Sequence, residues 1–91
     1  MPETLAALEY TYVQDVLERR APHREAHLAL LRRRHEEGSL VMAGATGDPV
    51  GGALIVFRDA AAAAAFAEED PYGAAGLVAA QRIVPWTVVV P

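Results

Sequence analysis

"SLVMAGATGDPVGGALIVF", residues 39 to 57, sets two short apolar runs on either side of a stretch rich in turn formers. The first run, Ser39–Thr46, includes Gly44 near its end and predicts a strand. "GDPVGG" is turn chemistry, in which glycine and proline punctuate the chain. "ALIVF" (Ala53–Phe57) predicts a compact, buried strand. So short a gap requires the two strands to pair antiparallel. A hairpin therefore occupies the middle of the chain, and the fold depends on what flanks it.

Upstream, "LAALEYTYV" (Leu5–Val13) alternates, with Leu8, Tyr10 and Tyr12 on one side and Glu9, Thr11 and Val13 on the other. That period of two predicts a first strand. Pro22 suits the first turn of a helix that runs to about Glu37 and ends at Gly38. At about 100° per residue, Leu28 and Leu31 share a stripe with Arg24 and His35 near it, and His27 lies on its flank. Downstream, Asp59 caps "AAAAAAFAEE", a second helix whose alanines favour helix and allow close approach to a sheet. "QRIVPWTVVV" predicts a last strand, and Pro85 places it at an edge or a bulge.

The order is β-α-β-β-α-β, the ferredoxin-like α+β arrangement, with four antiparallel strands carrying both helices on one face. "ALIVF" and "TVVV" are apolar on both faces, so the helix-free face needs a cover. A second copy supplies it most simply, which predicts a homodimer with Trp86 turned toward the interface or a pocket rim.

With 91 residues the chain reads as a single domain spanning residues 1–91. It has no cysteine, which removes disulfides, thiolate chemistry and Cys-ligated zinc. The start "MPETLAALEYTYVQD" lacks a basic region followed by a long apolar run, so no signal peptide is read there. No segment reaches the roughly 20 apolar residues of a membrane span. The expectation is a soluble cytoplasmic protein. The net charge of −4 argues against nucleic acid as a partner. Arg32, Arg33 and Arg34 are the local exception, but Glu36 and Glu37 follow at once, and the run reads as a solvated helix end.

The candidate chemistry lies in two places. "HREAH" sets His23 and His27 four residues apart on one helix face, but spacing fixes no third ligand, so no metal site is expected. The glycine-rich turn has no following lysine or helix and matches no phosphate loop. "EEDPYGAAGLV" (Glu68–Val78) crowds carboxylates at the negative end of a helix, an unfavourable place for them. Alone, His27 reads as a structural histidine and Asp70 as a turn residue before proline. Together they read differently. In this fold the first helix lies beside the second, so His27 can approach the loop holding Asp70. A carboxylate that holds an imidazole fixes its tautomer and suits it to act as a general base. Gly73, Ala74, Ala75 and Gly76 would leave room for a ligand beside the pair.

Several pieces in order resemble the YCII-related (YciI-like) family: "YVQD" (Tyr12–Asp15), "HREAHLALL", "EEGSLVMAG" (Glu36–Gly44), "EEDPYGAAGLV" and "VPW" (Val84–Trp86). The resemblance covers nearly the whole chain and implies a dimeric ferredoxin-like α+β barrel with a site built on His27 and Asp70. Arg24, Asp15, Gly44 and Tyr72 are the neighbours it implies for a bound small molecule. Some relatives in such a family perform elimination or dehydrohalogenation on substituted rings. The function expected is proton transfer by the His–Asp pair on a small, cyclic or aromatic substrate, with Tyr72 or Arg24 stabilising an oxyanion and without a cofactor. The alternative is a noncatalytic dimeric module that binds a small ligand or serves a neighbouring enzyme as an accessory. The short "GDPV" turn and the arginine-rich helix end depart from the family pattern.

Overall fold

The computed structural model describes residues 3–91. Its elements run β1 (Glu3–Tyr12), α1 (Val16–Arg19), α2 (Ala21–Glu36), β2 (Leu40–Thr46), β3 (Gly52–Phe57), α3 (Ala60–Glu69), α4 (Pro71–Ala74) and β4 (Val78–Val88). The sheet order is β2-β3-β1-β4 and every pairing is antiparallel, the ferredoxin-like arrangement.

The alternation in β1 sorts the two faces. Leu8, Tyr10 and Tyr12 join Ile55 and Phe57 of β3, Leu30 of α2, and Ala63 and Phe66 of α3 in one buried core. The register sets Leu8 opposite Ile55 and Tyr10 opposite Ala53, so these residues share the helix-bearing face. The other face carries Leu5, Ala7 and Val56, which are buried, and Trp86 opposite Leu5. Met42, at 59% exposed, continues this apolar face beside Val56.

Local chemistry sets the helix ends. Gly38 adopts φ +91° after α2, a conformation that costs glycine least. Asp59 Oδ1 accepts from the Ala62 amide at 2.8 Å and caps α3. Pro22 sits in the first turn of α2, but a short helix, α1, precedes it and brings the helical path back to Val16. Arg34 pairs with Glu37 at 3.0 Å and with Glu69 at the end of α3, so one arginine of the run ties two helix ends together.

β4 starts at Val78, earlier than the sequence suggests, and pairs only with β1. Pro85 therefore sits on an edge strand, where its missing amide hydrogen is tolerated. The irregularity in this ladder lies at Thr11/Tyr12 and not at Pro85. Val89 and Val90 extend beyond the strand and are exposed.

Candidate active site

Asp70 lies where α3 ends and α4 begins. Its backbone amide donates to the Phe66 carbonyl and closes α3, while its φ of −64° and ψ of 120° turn the chain away. Pro71 then opens α4, and Asp70 becomes that helix's N-cap. The carboxylate thus serves the start of the second helix, which explains its place at the end of the first. Gly73 and Ala74 belong to α4, and Gly76 closes the turn at φ +74°. The small residues make a tight helical corner. They do not line the cavity beside His27, and the expectation that they clear space for a ligand there is corrected.

Asp70 is 1% exposed, and three donors converge on it. Tyr10 donates its hydroxyl to Oδ2 at 2.8 Å. The Tyr72 amide donates to Oδ1 at 3.0 Å. His27 Nδ1 lies 2.7 Å from the same Oδ1. A carboxylate only accepts, so with Asp70 ionised the shared proton sits on Nδ1 and the Nε2 lone pair is free. A buried charge without partners would be costly, and here each oxygen has at least one.

The imidazole is also held by packing. Its ring stacks on Tyr72 with centroids 3.7 Å apart and planes 3° from parallel. Phe66 meets it edge-on at 6.3 Å, and Tyr12 meets Tyr72 edge-on at 5.9 Å. Burial, and then the charge of Asp70, hold the Tyr10 phenol well above its usual value. Burial and Asp70 also push the Tyr12 phenol up, with Arg20 and Arg24 partly opposing them. Tyr72 is buried too, and its hydroxyl has no hydrogen-bond partner.

A cavity of about 160 Å³ opens over this group. Arg20, Arg24, His27, Leu28 and Leu31 line it from the helical side, Tyr12, Ala43–Ala45, Ala53 and Ile55 from the sheet, and Tyr72 from α4. Of the residues expected at the site, His27, Arg24, Tyr72 and Gly44 line the cavity and Asp70 lies directly behind His27. Asp15 is not brought in. It precedes α1 and pairs with Arg19 at 3.5 Å. Tyr10, Tyr12 and Arg20 are the residues that sequence reasoning missed. The alternation of β1 places both tyrosines on one side with Leu8, the side that the structure buries in the core, and Arg20 lies one helical turn before Arg24. Among the described residues no group of His, Cys, Asp and Glu side chains is arranged to hold a metal ion.

The model of the YCII-related domain matches residues 4–87. The chain belongs to the YCII-related family. Protein YciI of Escherichia coli is 38% identical over 86 residues, spanning 82% of this chain and 88% of that protein, and Protein YciI of Shigella flexneri matches equally. Among solved structures, 5-chloro-2-hydroxyhydroquinone dehydrochlorinase from Burkholderia phenoliruptrix, in complex with 2,5-dihydroxybenzoquinone, shares this fold. Its TM-score is 0.73 at 24% identity, covering 90% of this chain and 92% of that one. Among the described residues of this YCII-related protein, no helix is long and apolar enough to cross a membrane.

Proposed function

We propose that this YCII-related protein is an enzyme in which His27 takes a proton from a small ring-shaped substrate. The observation that carries this reading is the buried Asp70, which engages Nδ1 and leaves Nε2 as the free base beside the cavity. In the reaction, Nε2 accepts a proton from a substrate carbon or hydroxyl and becomes part of an imidazolium. Asp70 stabilises that cation. The electron pair left behind moves onto a substrate oxygen, where Arg24 or Tyr72 stabilises the negative charge. Expulsion of a leaving group as an anion completes an elimination, and the imidazolium returns its proton to solvent. The dehydrochlorinase that shares the fold supports this class of chemistry, and its quinone ligand supports a ring substrate. A homodimer that buries the helix-free sheet face against a second copy belongs to the same proposal.

The test is turnover of halogenated hydroquinones and cyclic enones by wild type, His27→Gln and Asp70→Asn. Glutamine approximates the imidazole's size without its basicity, so His27→Gln should lower turnover by about 10²–10⁴-fold. Asp70→Asn keeps an acceptor for Nδ1 but removes the charge, and a smaller loss is expected. Ligand binding without turnover in wild type would instead identify a noncatalytic binding module.

A further inference from the structure

We propose that the cavity selects a ligand that is already an anion, a single-ring compound whose charged oxygen is held by Arg20 and Arg24. This deepens the reading of the cavity as the substrate site, and it does not require His27 to act as a base.

Arg20 has helical backbone angles (φ −74°, ψ −21°) at the junction of α1 and α2, so the helical phase carries through it. Residues 20, 24, 27, 28 and 31 then fall on one stripe, and all five line the cavity. Two like charges one turn apart disfavour each other unless something neutralises them. Among the described residues neither Arg20 nor Arg24 has an ion-pair partner. No aspartate or glutamate lines the cavity. Asp70 lies behind His27, bonded to its ring nitrogen, to Tyr10 and to the Tyr72 amide. In a chain of net charge −4, this wall is positive and lacks a counter-ion.

The shape of the cavity points the same way. An oxygen anion accepts from both guanidiniums of that wall. The remaining wall (Leu28, Leu31, Ala43, Ile55) is apolar and suits a flat hydrocarbon body. At about 160 Å³ the space is comparable to an engineered cavity of roughly 150 Å³ that accepts benzene. The ligand is therefore an aromatic or cyclic carboxylate, phenolate or enolate of one ring. Its neutral analogue binds poorly because two guanidiniums would lose hydration for no partner.

The test compares benzoate and 4-nitrophenolate with neutral benzamide by amide NMR titration of the wild-type protein. Arg20→Gln, Arg24→Gln and His27→Gln follow, with thermal melts to show that each variant is folded. The expected result is saturable binding of the anions, shifts at residues 20–31 and 72, and at least tenfold weaker binding of benzamide. Each arginine variant loses about tenfold for the anions, roughly 1.4 kcal/mol, and nothing for benzamide. Preference for benzoate over the phenolate, or the reverse, assigns the anion's source and supports the proposal equally. Equal affinity for benzoate and benzamide overturns it. So does anion binding unaffected by both arginine variants, and so does failure of both anions to bind at millimolar concentration. His27→Gln keeps the anion preference. If it also keeps turnover, the base reading fails while the anion site stands. If it loses turnover while anions and neutral analogues bind alike, the base reading stands and the anion site fails.

Discussion

Tyr10 connects the strength of the site to the stability of the fold. Its hydroxyl donates to Asp70 from the core side and does not line the cavity. Tyr10→Phe removes one of three donors to a buried carboxylate, and a hydrogen bond to a charged group contributes about 1.5–3 kcal/mol. Chemical denaturation near neutral pH should show a loss of that size. The same residue predicts an alkaline weakness. The phenols of Tyr10 and Tyr12 are pushed up in the folded protein, whereas unfolded tyrosine loses its proton near about pH 10. Their contribution is complete below that pH and is lost as pH rises above it toward the folded values. Stability should fall there by about 1.4 kcal/mol per pH unit for each such tyrosine. Above that pH, stability measured by denaturation should fall more steeply with pH for wild type than for Tyr10→Phe, because phenylalanine has no proton to hold.

Strand β3 brings the sheet to the cavity floor, and two glycines beside it differ in how much room they have. A Cβ on Gly52 would lie 2.3 Å from the Tyr10 carbonyl oxygen and 2.8 Å from Thr46 Oγ1. The first of these is backbone in the central strand and cannot swing aside. Gly52→Ala should therefore destabilise by about 1–3 kcal/mol, as overpacking does, and should loosen the β1–β3 pairing beside Tyr10. Gly44 in β2 has nothing within 4 Å of its hypothetical Cβ, yet it lines the cavity. Gly44→Ala should leave the stability near wild type, within about 0.5 kcal/mol, while its methyl group narrows the space for a ring. Calorimetry and ligand titration of the two variants should show stability lost in one and affinity lost in the other.

At the scale of the molecule, the helices stand on one face of the sheet, and the other face carries an apolar patch beside the Glu9–Arg82 ion pair. Leu5, Ala7 and Val56 are buried at its centre, while Met42 and Trp86 remain 59% and 39% exposed around them. Trp86 lies opposite Leu5 on this face and is not among the cavity residues. The expected cover is a second copy. Sedimentation at micromolar concentration should give a dimer, and Trp86→Glu, which sets a charge in that face, should give a folded monomer. A wild-type monomer at that concentration would refute the interface.

Local pattern carried most of the fold. Alternation in β1, the turn formers between β2 and β3, Asp59 before the alanine run and Gly38 after the arginines each act through bonds spanning a few residues, so each is legible in sequence. The His27–Asp70 meeting was legible once the order of elements was read, because that order sets the first long helix beside the corner after the second. Tertiary structure alone decided the rest. Tyr10 and Asp70 are 60 residues apart in sequence, and only the central position of β1 sets that hydroxyl beneath the α3–α4 corner. The stacking of Tyr72 on His27 depends on α4, a four-residue helix with too little pattern to announce itself. The family resemblance implied Asp15 as a neighbour, and it fell outside the cavity because α1 turns it toward Arg19. Arg20 enters the cavity wall because α1 and α2 share one helical phase across their junction, a continuity of backbone angles that residue identities do not encode.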